Sequence, residues 1–346
     1  MTIGVGIIGA GTVTQTIHLP TLARMPELFD VRHVMDVDRA AADRIAARTG
    51  ARSTADAEAL VSDDTVDVVA VCSPPALHAQ HVIESCRASK AVVLCEKPLA
   101  TSVAEAEAIV AAAAEAGTVL VVGTMHLYDP GWLAAIDALE QVGPDIQMIR
   151  SSIMLPPSDR YEGWATEYRE PPRRVAPPGE TAAQRARVLT QRLLGVAIHD
   201  IPLLRRFLPD WRTTEVTAAA LSGGKNYAVC LRAGDRVATL VGSERLFWRP
   251  EWELEAFGAA VRLRIEFTPS FVHAGSAVVR LDRQAETRMW GPFGSNGYEQ
   301  EWRHVADCFA DPKRHATDFA ALTADLFFAL SVAEQSSFLL QNGAPA

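Results

Sequence analysis

The sequence predicts an α/β chain in two parts, a doubly wound parallel sheet followed by an α+β domain with a large, mostly antiparallel open sheet. Two observations carry this. Up to Gly123, short continuous apolar runs rich in valine alternate with helix-forming segments, the pattern of parallel strands covered on both faces. Beyond Gly123 the runs become β-branched, alternate with polar residues and follow one another through turn residues, as hairpins do. A chain of 346 residues is also too long for one ordinary core. The predicted domains are 1–123 and 124–346.

In order, Ile3 to Ile8 is a strand ending in glycine, and Thr12 to Met25 can be helical. Val31 to Met35, Val66 to Val71, Ala91 to Cys95 and Val119 to Val122 are further buried strands. Arg39 to Arg48, Ala76 to Ala88 and Ser102 to Ala116 are good helix formers, the last capped by Thr101 or Ser102 with Glu105 in its first turn. In the second part, Ile146 to Met154, Glu215 to Leu221, Ala228 to Arg232, Arg236 to Val241 and Val261 to Glu266 read as strands. The turns Ser222-Gly223-Gly224-Lys225-Asn226 and Ala233-Gly234-Asp235 separate some of them. Helices are expected at about 190–207, 297–310 and 317–340, the last ending near Asn342-Gly343. The stretch 156–187 holds six prolines with several arginines and aromatics, and reads as a long irregular excursion, either a lid or arm or a surface loop.

Composition narrows the function classes. A hydrophobic share of 49% with 22% charged residues is globular. A net charge of −9 argues against a nucleic-acid partner, because phosphate binding needs a basic face. Cys72, Cys86, Cys95, Cys230 and Cys308 are scattered and odd in number, as buried thiols in a reducing compartment are. The chain enters a strand at once, without a basic leader or cleavage site, and its apolar runs are too short for a bilayer. A cytoplasmic protein with no membrane partner is the expectation. The histidines stand at no metal-ligand spacing with each other or with cysteines, so no metal site is predicted.

Gly9-Ala10-Gly11-Thr12-Val13-Thr14 follows the first strand and opens a helix. One glycine permits the tight turn, and the next lets the backbone approach a pyrophosphate held at a helix N-terminus. This is the phosphate loop of a Rossmann domain, with Gly9, Gly11, Thr12 and Val13 as cofactor contacts. Its third position is Thr14 rather than glycine or alanine, a larger residue tolerated if the helix stands slightly off the strand. Asp36, after the second strand, suits the ribose hydroxyls of NAD and would repel a 2′-phosphate. The other reading is that Asp36 or Asp38 caps the next helix. NAD is the expected cofactor, with NADP kept open by Arg39.

Gly9-Ala10-Gly11, His18-Leu19-Pro20, Val71-Cys72-Ser73-Pro74-Pro75 with His78, and Cys95-Glu96-Lys97-Pro98-Leu99 resemble the glucose–fructose oxidoreductase and inositol dehydrogenase (Gfo/Idh/MocA) family. Gly123 to Pro130, Ile198-His199-Asp200 and Tyr298-Glu299-Gln300-Glu301 extend the match in order along the chain. The resemblance implies a two-domain dehydrogenase of sugars, aminosugars or cyclitols, with a C-terminal sheet that often forms dimers or tetramers. It adds Ser73, Pro74, His78, Glu96 and Lys97 to the cofactor contacts, and it places Lys97 near the nicotinamide.

Lys97 also stands out by itself. It is one of very few lysines, at the carboxyl edge of the predicted sheet where ligands collect, and partial desolvation would help it relay a hydroxyl proton. The alternative is a surface lysine paired with Glu96. His199 is the second catalytic candidate. In the family an aspartate usually precedes this histidine by four residues, but Gly195 stands there, and Pro202 stands where an acid is often found three residues later. Asp200 is adjacent, yet a helix turns about 100° per residue, so it would face elsewhere. Tyr128 as a catalytic residue, or His126 as a substrate contact, would then supply the missing hydrogen bond beside His199. His18 and His78 either approach the cofactor loop or pack structurally.

The expected reaction is hydride transfer between a nicotinamide and a secondary alcohol or ketone of a carbohydrate-like substrate, in a homodimer or homotetramer. Two alternatives are a redox-neutral NAD-dependent reaction (elimination, epimerisation or glycoside cleavage) and a non-catalytic NAD-binding regulator.

Overall fold

A computed structural model describes residues 2–142, 145–156, 181–208, 210–223, 226–244, 250–269 and 275–342. Most of the proline-rich stretch, residues 157–180, lies outside the described residues, as do Gly224, Lys225 and Gly343 of the expected turns. Met1–Thr124 and Tyr298–Leu326 belong to one compact unit, and most of the remaining chain to a second.

The first unit is built on six parallel strands in the order β3-β2-β1-β4-β5-β6. These are β1 Ile3–Ile8, β2 Phe29–Met35, β3 Arg52–Thr54, β4 Val68–Val71, β5 Val92–Glu96 and β6 Val119–Gly123. The chain runs outward from β1 to β3, then crosses to β4 and runs outward the other way. That reversal between β1 and β4 opens a crevice at the carboxyl ends of the strands, where open α/β sheets bind ligands. Every residue of β1, β4 and β5 is buried, which is why these strands read as unbroken apolar runs. Helices Arg39–Thr49, His78–Arg87 and Val103–Ala116 connect them. Ser102, rather than Thr101, caps the last by accepting from Glu105 N, while Thr101 binds the Glu105 carboxylate. Tyr298–Leu326 joins this unit although it is far along the chain. Its Trp302 is fully buried, edge-on to Phe29 and His18.

The second unit holds eight strands in the order β14-β13-β12-β11-β7-β10-β9-β8. They are β7 Ile146–Leu155, β8 Glu215–Ser222, β9 Asn226–Ala233, β10 Arg236–Glu244, β11 Glu251–Gly258, β12 Val261–Glu266, β13 Val278–Arg283 and β14 Glu286–Trp290. Among the described residues only β7 and β10 of this sheet pair in parallel, so it is mostly antiparallel.

The helix expected at about 190–207 is two helices, Ala182–Gly195 and Ile201–Phe207, with a tight turn Ala197–His199 between them. Pro202 explains the break: it has no N–H for the carbonyl four residues back, yet it suits the first turn of a new helix. The argument that His199 and Asp200 sit on different faces of one helix is therefore corrected, since no continuous helix runs through them. A helix at Pro130–Val142, not expected from the sequence, also belongs to this unit.

Candidate active site

In the first unit, the glycine turn is held from inside. Gly9 has φ 106°, and a Cβ there would lie 2.6 Å from the Cys72 carbonyl oxygen, so no other residue fits between β1 and β4. Gly9 N donates to Met35 O at 2.7 Å. Two side chains hold the turn's carbonyls: Thr14 Oγ1 donates to Gly9 O at 2.6 Å and Gln15 Nε2 to Ala10 O at 2.7 Å. Thr14 thus replaces the small third residue of the fingerprint by a buried hydroxyl, and the Thr14–His18 turns widen into a π-helix around it. With those carbonyls engaged, the amides of Gly11, Thr12 and Val13 open the helix, ahead of any carbonyl the helix can offer them. Gly11 is exposed, with nothing within 4 Å of where its Cβ would be. A bare, open backbone turn of this kind fits a pyrophosphate.

Asp36 follows β2 as expected. Its Oδ2 accepts from Ala10 N at 2.7 Å and its Oδ1 from Asp38 N at 2.8 Å, so it braces the glycine turn, and its remaining lone pairs suit ribose hydroxyls. The capping role falls to Asp38, whose side chain accepts from Ala40 N and Ala41 N. Arg39 is tied to Asp43 and Ser53.

Ser73 and Pro74 follow β4. Ser73 Oγ lies 2.9 Å from His81 Nδ1. His78 is buried, with its ring nitrogens 2.8 Å from Ser73 O and 2.7 Å from Pro98 O. It is a clasp joining the loop after β4 to the loop after β5. Lys97 is half-buried directly after β5, and the Lys97–Pro98 bond is cis. Burial lowers the pKa of its ammonium below the usual lysine range, and the nearby Glu96 charge only partly opposes this.

Glu96 turns inward: Oε1 lies 3.0 Å from His18 Nε2, and Oε2 accepts from Lys97 N at 3.1 Å. Trp302 Nε1 donates to His18 Nδ1 at 3.1 Å. An indole N–H can only donate, so Nδ1 accepts and Nε2–H donates to Glu96. Burial would raise the pKa of Glu96, but the hydrogen bond from His18 and the charge of Lys97 hold it below the usual carboxylate range. Glu301 is fully buried beside this group, and neither of its carboxyl oxygens has a hydrogen-bond partner among the described residues. Burial and the charge of Glu96 push its pKa well above the usual range, so it is a neutral acid.

In the second unit, His126 is buried and stacked on Phe267, with ring centroids 3.8 Å apart. Trp252 meets it edge-on at 4.7 Å, and the His199 ring lies 5.9 Å away. The organising group is Asp200, fully buried. Its Oδ1 accepts from His126 Nδ1 and Trp252 Nε1, each at 2.9 Å, and its Oδ2 from Ser151 Oγ at 2.6 Å. Asp200 therefore orients His126 rather than His199. With Nδ1 donating, His126 Nε2 presents a lone pair, and that atom has no partner among the described residues. Tyr128 is half-buried at the end of the same short turn, Met125–Tyr128. Sequence reasoning missed Asp200, Ser151, Trp252 and Phe267. The one signal was a carboxylate set in the apolar run Ile198-His199-Asp200-Ile201-Pro202-Leu203.

The expectation that no histidine stands at ligand spacing with a cysteine is also corrected. His304 and Cys308 are one helical turn apart, and His315 folds back to them, with ligand atoms of all three within 4.8 Å of one another.

A doubly wound sheet with a glycine turn after β1 and an acidic residue after β2 defines a dinucleotide-binding domain. Residues 3–124 match the family described as an oxidoreductase family with an NAD-binding Rossmann fold. That match, to the Gfo/Idh/MocA family, covers the dinucleotide-binding domain alone. Inositol 2-dehydrogenase 3 of Saccharopolyspora erythraea is 39% identical over 133 residues, 38% of this chain and 39% of that protein. A dTDP-3,4-didehydro-2,6-dideoxy-α-D-glucose 3-reductase of Actinomadura kijaniata is 34% identical over 45% of this chain and 46% of its own length. The chain thus matches less than half the length of these curated relatives. Two solved structures share the fold throughout. A 3-ketoreductase from Actinomadura kijaniata in complex with NADP has TM-score 0.72 at 23% identity, covering 96% of each chain. A UDP-N-acetylglucosamine 3-dehydrogenase from Acidithiobacillus ferrooxidans has TM-score 0.73 at 19% identity, covering 99% of this chain and 100% of that one. No helix among the described residues is long and apolar enough to cross a membrane.

Proposed function

We propose that this protein is an NAD(P)-dependent oxidoreductase acting on a secondary alcohol or ketone of a sugar, aminosugar or cyclitol. The observation that carries the proposal is Lys97. It is a half-buried lysine of lowered pKa at the carboxyl edge of a sheet whose glycine turn suits a pyrophosphate. The names of the relatives, inositol dehydrogenases and nucleotide-sugar ketoreductases, support the substrate class.

In this reading Gly9, Gly11, Thr12 and Val13 hold the cofactor's pyrophosphate, and Asp36 its ribose hydroxyls, which favours NAD over NADP. Ser73 and Pro74 line the cofactor loop, and His78 and Glu96 position it from behind. A nicotinamide held by these residues would supply the hydride chemistry. Lys97, as a neutral amine, takes the hydroxyl proton in the oxidation direction, and as an ammonium it returns it in reduction. His199, His126 and Tyr128 hydrogen-bond the substrate, with His126 fixed in one tautomer by Asp200. This places the carbon and polarises its oxygen. The protein is further proposed to be cytoplasmic and to form a homodimer or homotetramer.

The test is a panel of polyols and sugars with NAD and NADP, read by the near-ultraviolet absorbance of reduced nicotinamide. Accumulating absorbance that disappears in Lys97→Ala, with cofactor binding retained, is the expected result. Product formed at flat absorbance would make the reaction redox-neutral, and full turnover in Lys97→Ala would overturn the assignment.

A further inference from the structure

The carboxyl end of the Gly297–Ala310 helix and the loop after it assemble a cluster that the oxidoreductase reading does not use. His304 and Cys308 project from successive turns of the helix. The loop then doubles back: Arg314 N donates to Asp311 Oδ1 and His315 N to Asp311 O, each at 3.2 Å. Thr317 anchors its far end to the edge strand β6, accepting from Leu120 N at 2.7 Å and donating to Leu120 O at 3.2 Å. His315 is two residues from that anchor, so its position is set by backbone already fixed at both sides.

The ligand atoms of His304, Cys308 and His315 lie within 4.8 Å of one another. Cys308 Sγ is 3.5 Å from His304 Nε2. Around tetrahedral zinc, with Zn–S near 2.3 Å and Zn–N near 2.0–2.1 Å, a sulfur and a nitrogen ligand stand about 3.5 Å apart, the same separation. The two imidazoles meet edge-on, with centroids 5.7 Å apart, so they converge without stacking. A thiol–imidazole hydrogen bond accounts for the first pair but gives no reason for a third ligand to converge. Cys308 is buried while both histidines are half-buried, which leaves one side open to solvent. Two imidazoles and a thiolate suit a borderline-soft cation, and hard oxygen-seeking cations find no matching donor among the three.

We propose that His304, Cys308 and His315 bind a divalent cation of the zinc class, with water in the fourth position. The cation staples the end of the helix to the loop that clasps β6. The test uses the full-length protein, stripped by a chelator and titrated with Co²⁺ in the absence of nicotinamide. The expected result is one equivalent bound, with tetrahedral visible bands and a thiolate-to-cobalt charge-transfer band, all displaced by Zn²⁺. Cys308→Ser should lose the charge-transfer band, and His315→Ala should weaken binding at least about tenfold. Cys230→Ser should leave both unchanged. Should Cys308→Ser fail to fold, His315→Ala, whose side chain is half-exposed, decides the matter by affinity. Substoichiometric cobalt, a charge-transfer band that survives Cys308→Ser in folded protein, or unaltered affinity in His315→Ala would overturn the proposal.

Discussion

Asp200 can be removed in two ways that separate its hydrogen bonds from its charge. In Asp200→Ala, the indole N–H of Trp252 and the Nδ1–H of His126 lose their shared acceptor in a buried place, and Ser151 Oγ loses its own. Trp252 cannot shift its proton, and moving the His126 proton to Nε2 only relocates the orphan, because that nitrogen also has no partner among the described residues. Each orphaned buried group costs about 1–3 kcal/mol, while Ser151 can turn elsewhere, so the total for the two ring donors is about 2–6 kcal/mol. Asp200→Asn behaves differently. Its amide oxygen can still accept from both ring donors, and its amide N–H₂ can donate to Ser151 Oγ, which is able to accept. What is lost is the strength that a charged acceptor adds, about 1–2 kcal/mol. Chemical unfolding followed by tryptophan fluorescence should therefore rank wild type above Asn and Asn above Ala, the two variants about 2–3 kcal/mol apart. With substrate, Asn should retain more kcat/KM than Ala. Equal destabilisation by the two, or none by Ala, would refute the view that Asp200 is held for its three donors.

Four further outcomes are expected. Because burial lowers the Lys97 pKa, alcohol oxidation should rise with pH through a midpoint below the usual lysine value, a limb that Lys97→Arg removes and that initial rates across pH will show. Gly9→Ala places a Cβ 2.6 Å from Cys72 O at a positive φ, so calorimetry should find NAD binding lost or nearly so even where the protein folds. Asp36→Asn should narrow or reverse the preference for NAD over NADP, measured as the ratio of the two kcat/KM values. Glu301 has a raised folded pKa, so its stabilising proton is fully present below the unfolded pKa and is lost as pH rises through the folded one. Relative to Glu301→Gln, wild type should thus lose up to about 1.4 kcal/mol per pH unit above about pH 4.3, read from unfolding curves across pH.

The parallel sheet was legible because its central strands are buried on both faces, so β1, β4 and all of β5 but its last residue, Glu96, carry no polar side chain. Where one face meets water the signal fades. β11 reads Glu-Trp-Glu-Leu-Glu-Ala-Phe-Gly, its apolar residues interleaved with carboxylates, and the buried Glu255 is tolerated there because Arg150 and Arg262 pair with it. β14, at the sheet edge, is exposed at nearly every position and carries no burial pattern. β3 has three residues, too few for any period. The same division runs through the candidate site. Gly9, Asp36 and Lys97 were readable because each owes its place to a strand end a residue or two away. The Asp200 cluster joins residues 126, 151, 200, 252 and 267, and no local spacing connects them. The spacing of His304 and Cys308, one helical turn apart, was passed over in the sequence, and His315 converges on them only through the Asp311 turn and the Thr317 anchor.

The buried acids beside Lys97 show why a carboxylate next door does not hold this lysine at its ordinary pKa. Glu96 is ionised, yet its oxygens are directed elsewhere, Oε1 to the Nε2–H of His18 and Oε2 to the backbone amide of Lys97. Trp302, by donating to the other ring nitrogen of His18, fixes which proton Glu96 receives. Glu301 cannot share the charge, because two buried carboxylates would repel, and it stays protonated with Glu96 as the anion. The Glu96 carboxylate is thus aimed into hydrogen bonds that hold the backbone after β5. Its field reaches the Lys97 ammonium only as a partial offset to desolvation. The Glu-Lys-Pro element consequently does two separable things: the glutamate fixes where the lysine starts, and burial sets how readily it gives up its proton. A Glu96→Gln variant should disturb the first through the His18 contact while lowering the Lys97 pKa further, moving the basic limb of the rate profile to lower pH. A limb that instead moved upward would show that the Glu96 charge does not raise the proton affinity of Lys97, against its role as a partial offset to burial.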